Sequence, residues 1–220
     1  MRYDYMDIAA TPSVAAAQEA NGSARIWSDL PRSRPSDRFT AAEADFIASR
    51  DSFYMATVSE TGWPYVQHRG GPPGFLRVLD ERTLGCADFR GNRQYISLGN
   101  LAANDRASLF LMDYPNRRRL KIYAHVQATD LAENPDLSTA LALPDYRAKV
   151  ERALLFHLDA FDWNCPQHIT PRFTENEIGQ ALAPVRERIA RLEAENQQLR
   201  TKLEQAHGCD RATASAVPCG

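Results

Sequence analysis

Of the 220 residues only four are cysteine, Cys86, Cys165, Cys209 and Cys219, and no short spacing repeats among them. That excludes a disulfide scaffold and a four-ligand structural zinc framework, and it suits a reducing compartment that leaves the thiols free. No apolar run approaches the ~20 residues of a membrane-spanning helix. The stretch "MRYDYMDIAATPSVAAAQEA" carries acidic side chains where a signal peptide has an unbroken apolar core. The expectation is a cytoplasmic chain with no membrane partner. Charge of one sign is also lacking: 26 Lys and Arg face 28 Asp and Glu, a formal net charge of −2, so there is no basic footprint for nucleic acid. What remains, 44% hydrophobic and 25% charged residues, is the balance of an ordinary folded protein with one full core plus appendages.

Residues 1–38 mix Ala, Ser, Pro and Arg without sustained periodicity and read as an N-terminal arm, with Ile26 and Trp27 hinting that part of it packs. Thr40 stands three residues before Glu43, the spacing of a capping box, and Ala44, Phe46 and Ile47 give the helix that follows an apolar face. From Phe53 to Asp130 short β-rich runs alternate with turn residues, as in "FYMATVS", "YVQHR", "FLRVLD" and "LGCAD". One helix, "NRQYISLGNLAAND", interrupts them, and a long hairpin, "RASLFLMDY" to "RLKIYAHVQATD", closes the set. Several strands without a βαβ rhythm predict a small antiparallel barrel. Residues 135–152 resume helical character, and "LLFHLDAFDWN" reads as a last strand.

The tail has the clearest pattern. Ile178, Leu182, Val185, Ile189, Leu192, Asn196, Leu199 and Leu203 advance by alternating steps of four and three, which predicts a coiled-coil helix over 176–207. In a parallel pair Arg188 would face Glu193 and Glu195 would face Arg200, so a parallel homodimer is expected. Pro184 predicts a break, with a first short helix at "TENEI" and the zipper starting in the turn that contains Pro184. Residues 208–220 have nothing to bury and read as a disordered tail.

Four stretches have candidate chemistry. "FDWNCPQHITPR" sets Cys165 three residues before His168, which leaves open a nucleophile with its base, a metal pair or a pocket wall, although a metal would need more local ligands. "CADFRGNRQYISLGN" runs from a strand through a glycine loop into a helix start, the outline of a phosphate site, with Asn92, Arg93, Gln94 and Ser97 as donors. "YVQHRGGPPGF" puts Gln67, His68 and Arg69 on a strand that breaks at two glycines, where a flat ligand can approach the backbone. "YPNRRRL" places three arginines at a hairpin, one or two of which strand alternation turns inward.

Taken in order, "FYMATVSETGWPYVQHR", "FLRVLDERTLGCADFRGNRQYISLGNLAANDRASLFLMD" and "RRLKIYAHVQ" resemble the pyridoxamine 5'-phosphate oxidase-like family of split-barrel FMN-binding proteins, and within it the predicted flavin-nucleotide-binding branch. The resemblance spans residues from about 40 to about 175 and implies a mainly β fold: a six-stranded antiparallel split β-barrel with flanking helices over 39–175, dimeric, with FMN at the subunit interface. It further implies that Asn92, Arg93 and Gln94 hold the FMN phosphate with Ser97 in support. Gln67, His68 and Arg69 would lie along the ribityl chain and ring, and Arg119 would face the flavin. Trp163, Gln167, His168 and Arg172 would border the pocket across the dimer, with His168 as a proton relay and Cys165 as a small buried neighbour. Gln94 stands where the true oxidases favour a lysine, and their terminal Arg-x-His pair is lacking, so pyridoxamine phosphate is not the implied substrate. The expected function is an FMN-dependent oxidoreductase on a small organic molecule, with a non-catalytic flavin-binding storage or sensing module as the alternative. Haem in the same cleft, on His68, His125, His157 or His168, is a more distant one.

Overall fold

The computed structural model describes residues 4–28 and 36–214, which form two units, one running to Pro171 and the other starting at Arg172. The first is built on seven antiparallel strands: β1 (Ser52–Val58), β2 (Pro64–Gly70), β3 (Leu76–Asp80), β4 (Thr83–Phe89), β5 (Arg106–Asp113), β6 (Arg118–Thr129) and β7 (Val150–Trp163). They hydrogen-bond in the order β2-β1-β5-β6-β7-β4-β3, one strand more than the six expected. The edges β2 and β3 do not pair with each other, so the ladder is not closed.

The sheet nevertheless curls. Phe53 of β1 stacks on Phe75, just before β3, at 5.8 Å between ring centroids and meets Phe156 of β7 edge-on at 5.9 Å. Strict alternation produces this: in β1 the side chains of Phe53, Met55 and Thr57 turn inward while Tyr54 and Val58 stay exposed. In β5 and β6 Leu109, Leu111, Leu120 and Ile122 complete the same buried layer. Each such side chain removed from water contributes roughly 1.5–3 kcal/mol, which is what holds an open sheet rolled.

The helices seal and position. The N-terminal arm is not featureless: it contains α1 (Tyr5–Ala9), α2 (Pro12–Ala20) and α3 (Ala24–Ser28). Tyr5 is buried, stacked on Tyr123 of β6 at 4.7 Å with the Lys121 ammonium over its ring. Burial away from water pushes its hydroxyl pKa upward. α4 (Ala41–Ala48) starts with the expected capping box, Glu43 accepting from the Thr40 amide at 3.0 Å. α5 (Ile96–Ala103) is tied to β1 by the Asn100 amide donating to the buried Thr57 hydroxyl at 3.0 Å.

The helix expected over 135–152 shrinks to α6 (Pro135–Ala140). Arg77 claims the carbonyls of Ala140 and Ala142, and Leu141 fills the space over Gly85, so the chain leaves the helix and enters β7 already at Val150. In the second unit α7 (Glu175–Ala214) is one helix with Pro184 inside it, not two. It also runs past His207, where disorder was expected; the rest of that tail, 215–220, lies outside the described residues. Among the described residues no helix is long and apolar enough to cross a membrane.

Candidate functional site

A cavity of about 200 Å³ opens where β2, the end of β4, the following loop and the start of α5 converge. It gathers Gln67, His68 and Arg69 from one stretch with Asn92, Arg93, Gln94 and Ser97 from another, seven residues singled out in sequence. A chain of hydrogen bonds joins the two groups. The Ser97 hydroxyl donates to Gln67 Oε1 at 2.7 Å, Arg69 Nη2 donates to the same oxygen at 3.3 Å, and Arg69 Nη1 donates to Asp88 Oδ1. β2 is one edge of the strand order and β4 stands next to the other, so the Arg69–Asp88 pair also ties together the two sides of the curled sheet.

The loop after β4 is wound tightly. Asn92 Oδ1 accepts from the Gln94 amide at 3.1 Å, and its own amide nitrogen donates to Gln94 Oε1 at 3.3 Å. Arg93 and Tyr95 hold φ of 62° and 53°, left-handed values that few non-glycine residues adopt and that collect at functional sites. Tyr95, the N-cap of α5, supplies no side-chain cap, so the first amides of the helix stay available where Tyr95, Ile96 and Ser97 line the cavity.

Sequence reasoning missed the ionic floor. Asp88 accepts from Arg69 and lies 3.4 Å from Arg152 Nε, and Glu151 is bonded by Arg90 at 3.1 Å, Arg152 at 3.1 Å and the Tyr95 hydroxyl at 3.1 Å. Desolvation pushes the Glu151 carboxyl up, but the bonds from Tyr95 and Arg152 with the charges of Arg152 and Arg90 outweigh it, and the pKa sits below the ordinary value. Glu151 and Arg152 were hidden because the sequence reads as helix up to 152, whereas both lie near the start of β7. Asp88 left one signal, a carboxylate at a strand end just before the loop. Burial drives the Cys86 thiol up to about 12, with the Arg69 charge opposing and Asp88 adding, so it is an inert wall of the cavity.

The remaining predicted residues do not line this cavity. Trp163 turns to the other face, donating its indole N–H to Glu43 Oε1 at 2.9 Å, with Phe46 edge-on at 4.7 Å and the Arg118 guanidinium 4.4 Å over its ring. Arg119 points away on the outer face of β6, its buried Nε without a hydrogen-bond partner. Gln167 and His168 are exposed, His168 at φ 60°, and Arg172 belongs to the second unit. Cys165 is exposed, not the buried neighbour expected, because the chain has left the sheet two residues earlier. His125 is held by Asp105 at 2.9 Å and Asp159 at 3.3 Å, and among the described residues no group of three or more His, Cys, Asp or Glu is placed to hold a metal ion.

Comparison with solved structures finds likenesses too remote to carry an argument. HupZ of Group A Streptococcus is 14% identical over 61% of this chain and 99% of its own, with a TM-score of 0.44. An FMN-binding protein from Syntrophomonas wolfei is 13% identical over 70% and 97%, with a TM-score of 0.42. A protein of Clostridium acetobutylicum related to general stress protein 26 is 17% identical over 62% and 94%, with a TM-score of 0.39. No curated protein matches the chain. The decisive match is of sequence to family: the model described as pyridoxamine 5'-phosphate oxidase fits residues 39–155, which is more than half the chain and contains every residue that lines the cavity. The protein is a member of the pyridoxamine 5'-phosphate oxidase-like family.

Proposed function

We propose that the cavity between β2 and the β4–α5 loop binds FMN and that the protein is an oxidoreductase acting on a small organic molecule. The observation that carries this reading is the donor set of the cavity: the guanidinium groups of Arg69 and Arg93 line it together with the polar side chains of Asn92, Gln94 and Ser97 at the start of α5. Forked guanidinium donors beside neutral amide and hydroxyl donors suit the oxygens of a phosphomonoester. The buried Nε of Arg69 has no hydrogen-bond acceptor, and the uncapped start of α5 offers backbone N–H groups at the same cavity. Family membership supports a flavin as the ligand that brings the phosphate.

In this reading Arg93, Asn92 and Gln94 hold the phosphate, Ser97 and Gln67 bond the ribityl hydroxyls, and His68 and Arg69 border the ring. Arg69, kept straight by Asp88, would stabilise negative charge on the ring's reduced form. Flavin supplies the hydride or electron transfer; the protein orients it and admits the second substrate. One chain's cavity is smaller than the roughly 300–1,000 Å³ of ordinary ligand pockets. A second copy of the chain is therefore proposed to complete it, contributing Arg119, Gln167, His168 and Arg172, with His168 as proton relay and Trp163 fixing the start of that segment.

The test is an absorbance spectrum of the purified protein followed by mass spectrometry of whatever heat releases. The expected result is a two-band flavin spectrum with FMN in the supernatant and loss of both in Arg93→Ala. A colourless protein that takes up no added flavin overturns the reading. Bound FMN with no turnover toward any electron donor or acceptor assigns the protein to storage or sensing instead.

A further inference from the structure

The second unit carries an interaction surface that the flavin reading does not use. On α7 the side chains of Ile178, Leu182, Val185, Ile189, Leu192, Leu199 and Leu203 are 42–59% exposed, and they share one stripe with Asn196. Around the stripe the helix is charged, and none of its described residues is buried. A 40-residue helix with such a stripe left in water is the arrangement that pairing removes. We propose that α7 forms a parallel, in-register coiled coil with α7 of a second copy.

The occupant follows from the pattern. Steps of four and three place Leu182, Ile189, Asn196 and Leu203 at one core position of the heptad and Ile178, Val185, Leu192 and Leu199 at the other. The flanking charges favour self-pairing in either direction: a parallel pair sets Arg188 against Glu193 and Glu195 against Arg200, and an antiparallel pair sets Arg188 against Glu195 and Arg186 against Glu193. Charge therefore selects a second copy without selecting its direction. Asn196 selects the direction. In the parallel register it meets the partner's Asn196, amide to amide. In the antiparallel register that overlaps the whole stripe it meets the partner's Val185, which leaves a buried amide unsatisfied. Pro184 falls on the outward side, two positions after Leu182, so the backbone hydrogen bond it removes lies away from the seam.

This inference does not depend on the flavin reading, and its test is blind to cofactor. In the full chain, with Cys165, Cys209 and Cys219 replaced by serine, Leu199→Cys, Leu182→Cys and an outward control, Gln198→Cys, are exposed to mild oxidant and resolved on a non-reducing gel. The parallel coil predicts that Leu199→Cys and Leu182→Cys each cross-link to themselves at least about tenfold faster than Gln198→Cys, since only core thiols come within disulfide reach. Cross-linking seen only when the Leu199→Cys and Leu182→Cys proteins are mixed means an antiparallel pair and overturns the proposal. So does cross-linking no faster than the control, which means that α7 is unpaired or covered by something else. Circular dichroism of each variant verifies that the helix is intact.

Discussion

Two regions of the sheet unit are built from the same parts and put them to different use. At the cavity, Arg69 and Arg152 bracket Asp88, and Arg90 and Arg152 bracket Glu151. On the opposite side, Arg50 reaches Asp113 at 3.6 Å, Arg118 lies over Trp163, and Glu43 takes the indole N–H. In the second region the groups close on an aromatic core of Phe46 and Trp163. In the first the buried Nε of Arg69 is left unanswered beside an opening. An arginine–carboxylate pair that closes on a ring stabilises the fold; the spare donor of Arg69 is what the proposed ligand would use.

The sharpest way to break this comparison is Trp163→Ala. Removing the ring that Glu43, Phe46 and Arg118 share is expected to cost about 3 kcal/mol of unfolding free energy, read from denaturant midpoints, while Trp163→Phe costs less. Loss of flavin with an unchanged midpoint would move Trp163 from the core to the binding site. Next comes Arg93→Ala: at least about tenfold weaker flavin binding, with stability unchanged within roughly 0.5 kcal/mol, by fluorescence titration and thermal melts.

Glu43 gives a pH signature. Burial raises its carboxyl pKa, but the hydrogen bonds from Thr40 and Trp163 outweigh it and hold the pKa below the ordinary value. A depressed folded pKa stabilises above the unfolded pKa, and that stabilisation is lost as pH falls through the folded one. Wild type should therefore exceed Glu43→Gln by about 1 kcal/mol at neutral pH, and the gap should narrow progressively as pH falls below the ordinary carboxylate range; a gap that widens with acid contradicts the arrangement. The smallest effect is chemical. With its thiol pushed up to about 12 and buried, Cys86 should escape alkylation in the native protein while exposed Cys165 is labelled, as peptide mass spectrometry would show.

Local rules made much of this legible in the sequence. The Thr40–Glu43 capping box, the alternation of β1 and β5 and the heptad steps of α7 each depend on neighbours within a few residues, and the chain order of the two polar stretches resembled a known family. Pairing of distant segments was not legible. That Arg69 meets Asp88 depends on how far a seven-stranded sheet curls, and the length of β7 depended on Arg77 and Leu141 ending α6 so that Glu151 and Arg152 could enter it. The sequence by itself determined most element types, the cluster of polar residues in the loop after β4 and the stripe on α7, because period and capping are written in consecutive residues. Only the tertiary structure decided which arginines are satisfied and which keep a donor free, because a long side chain's partner is set by the through-space distance between strands that the sequence keeps far apart.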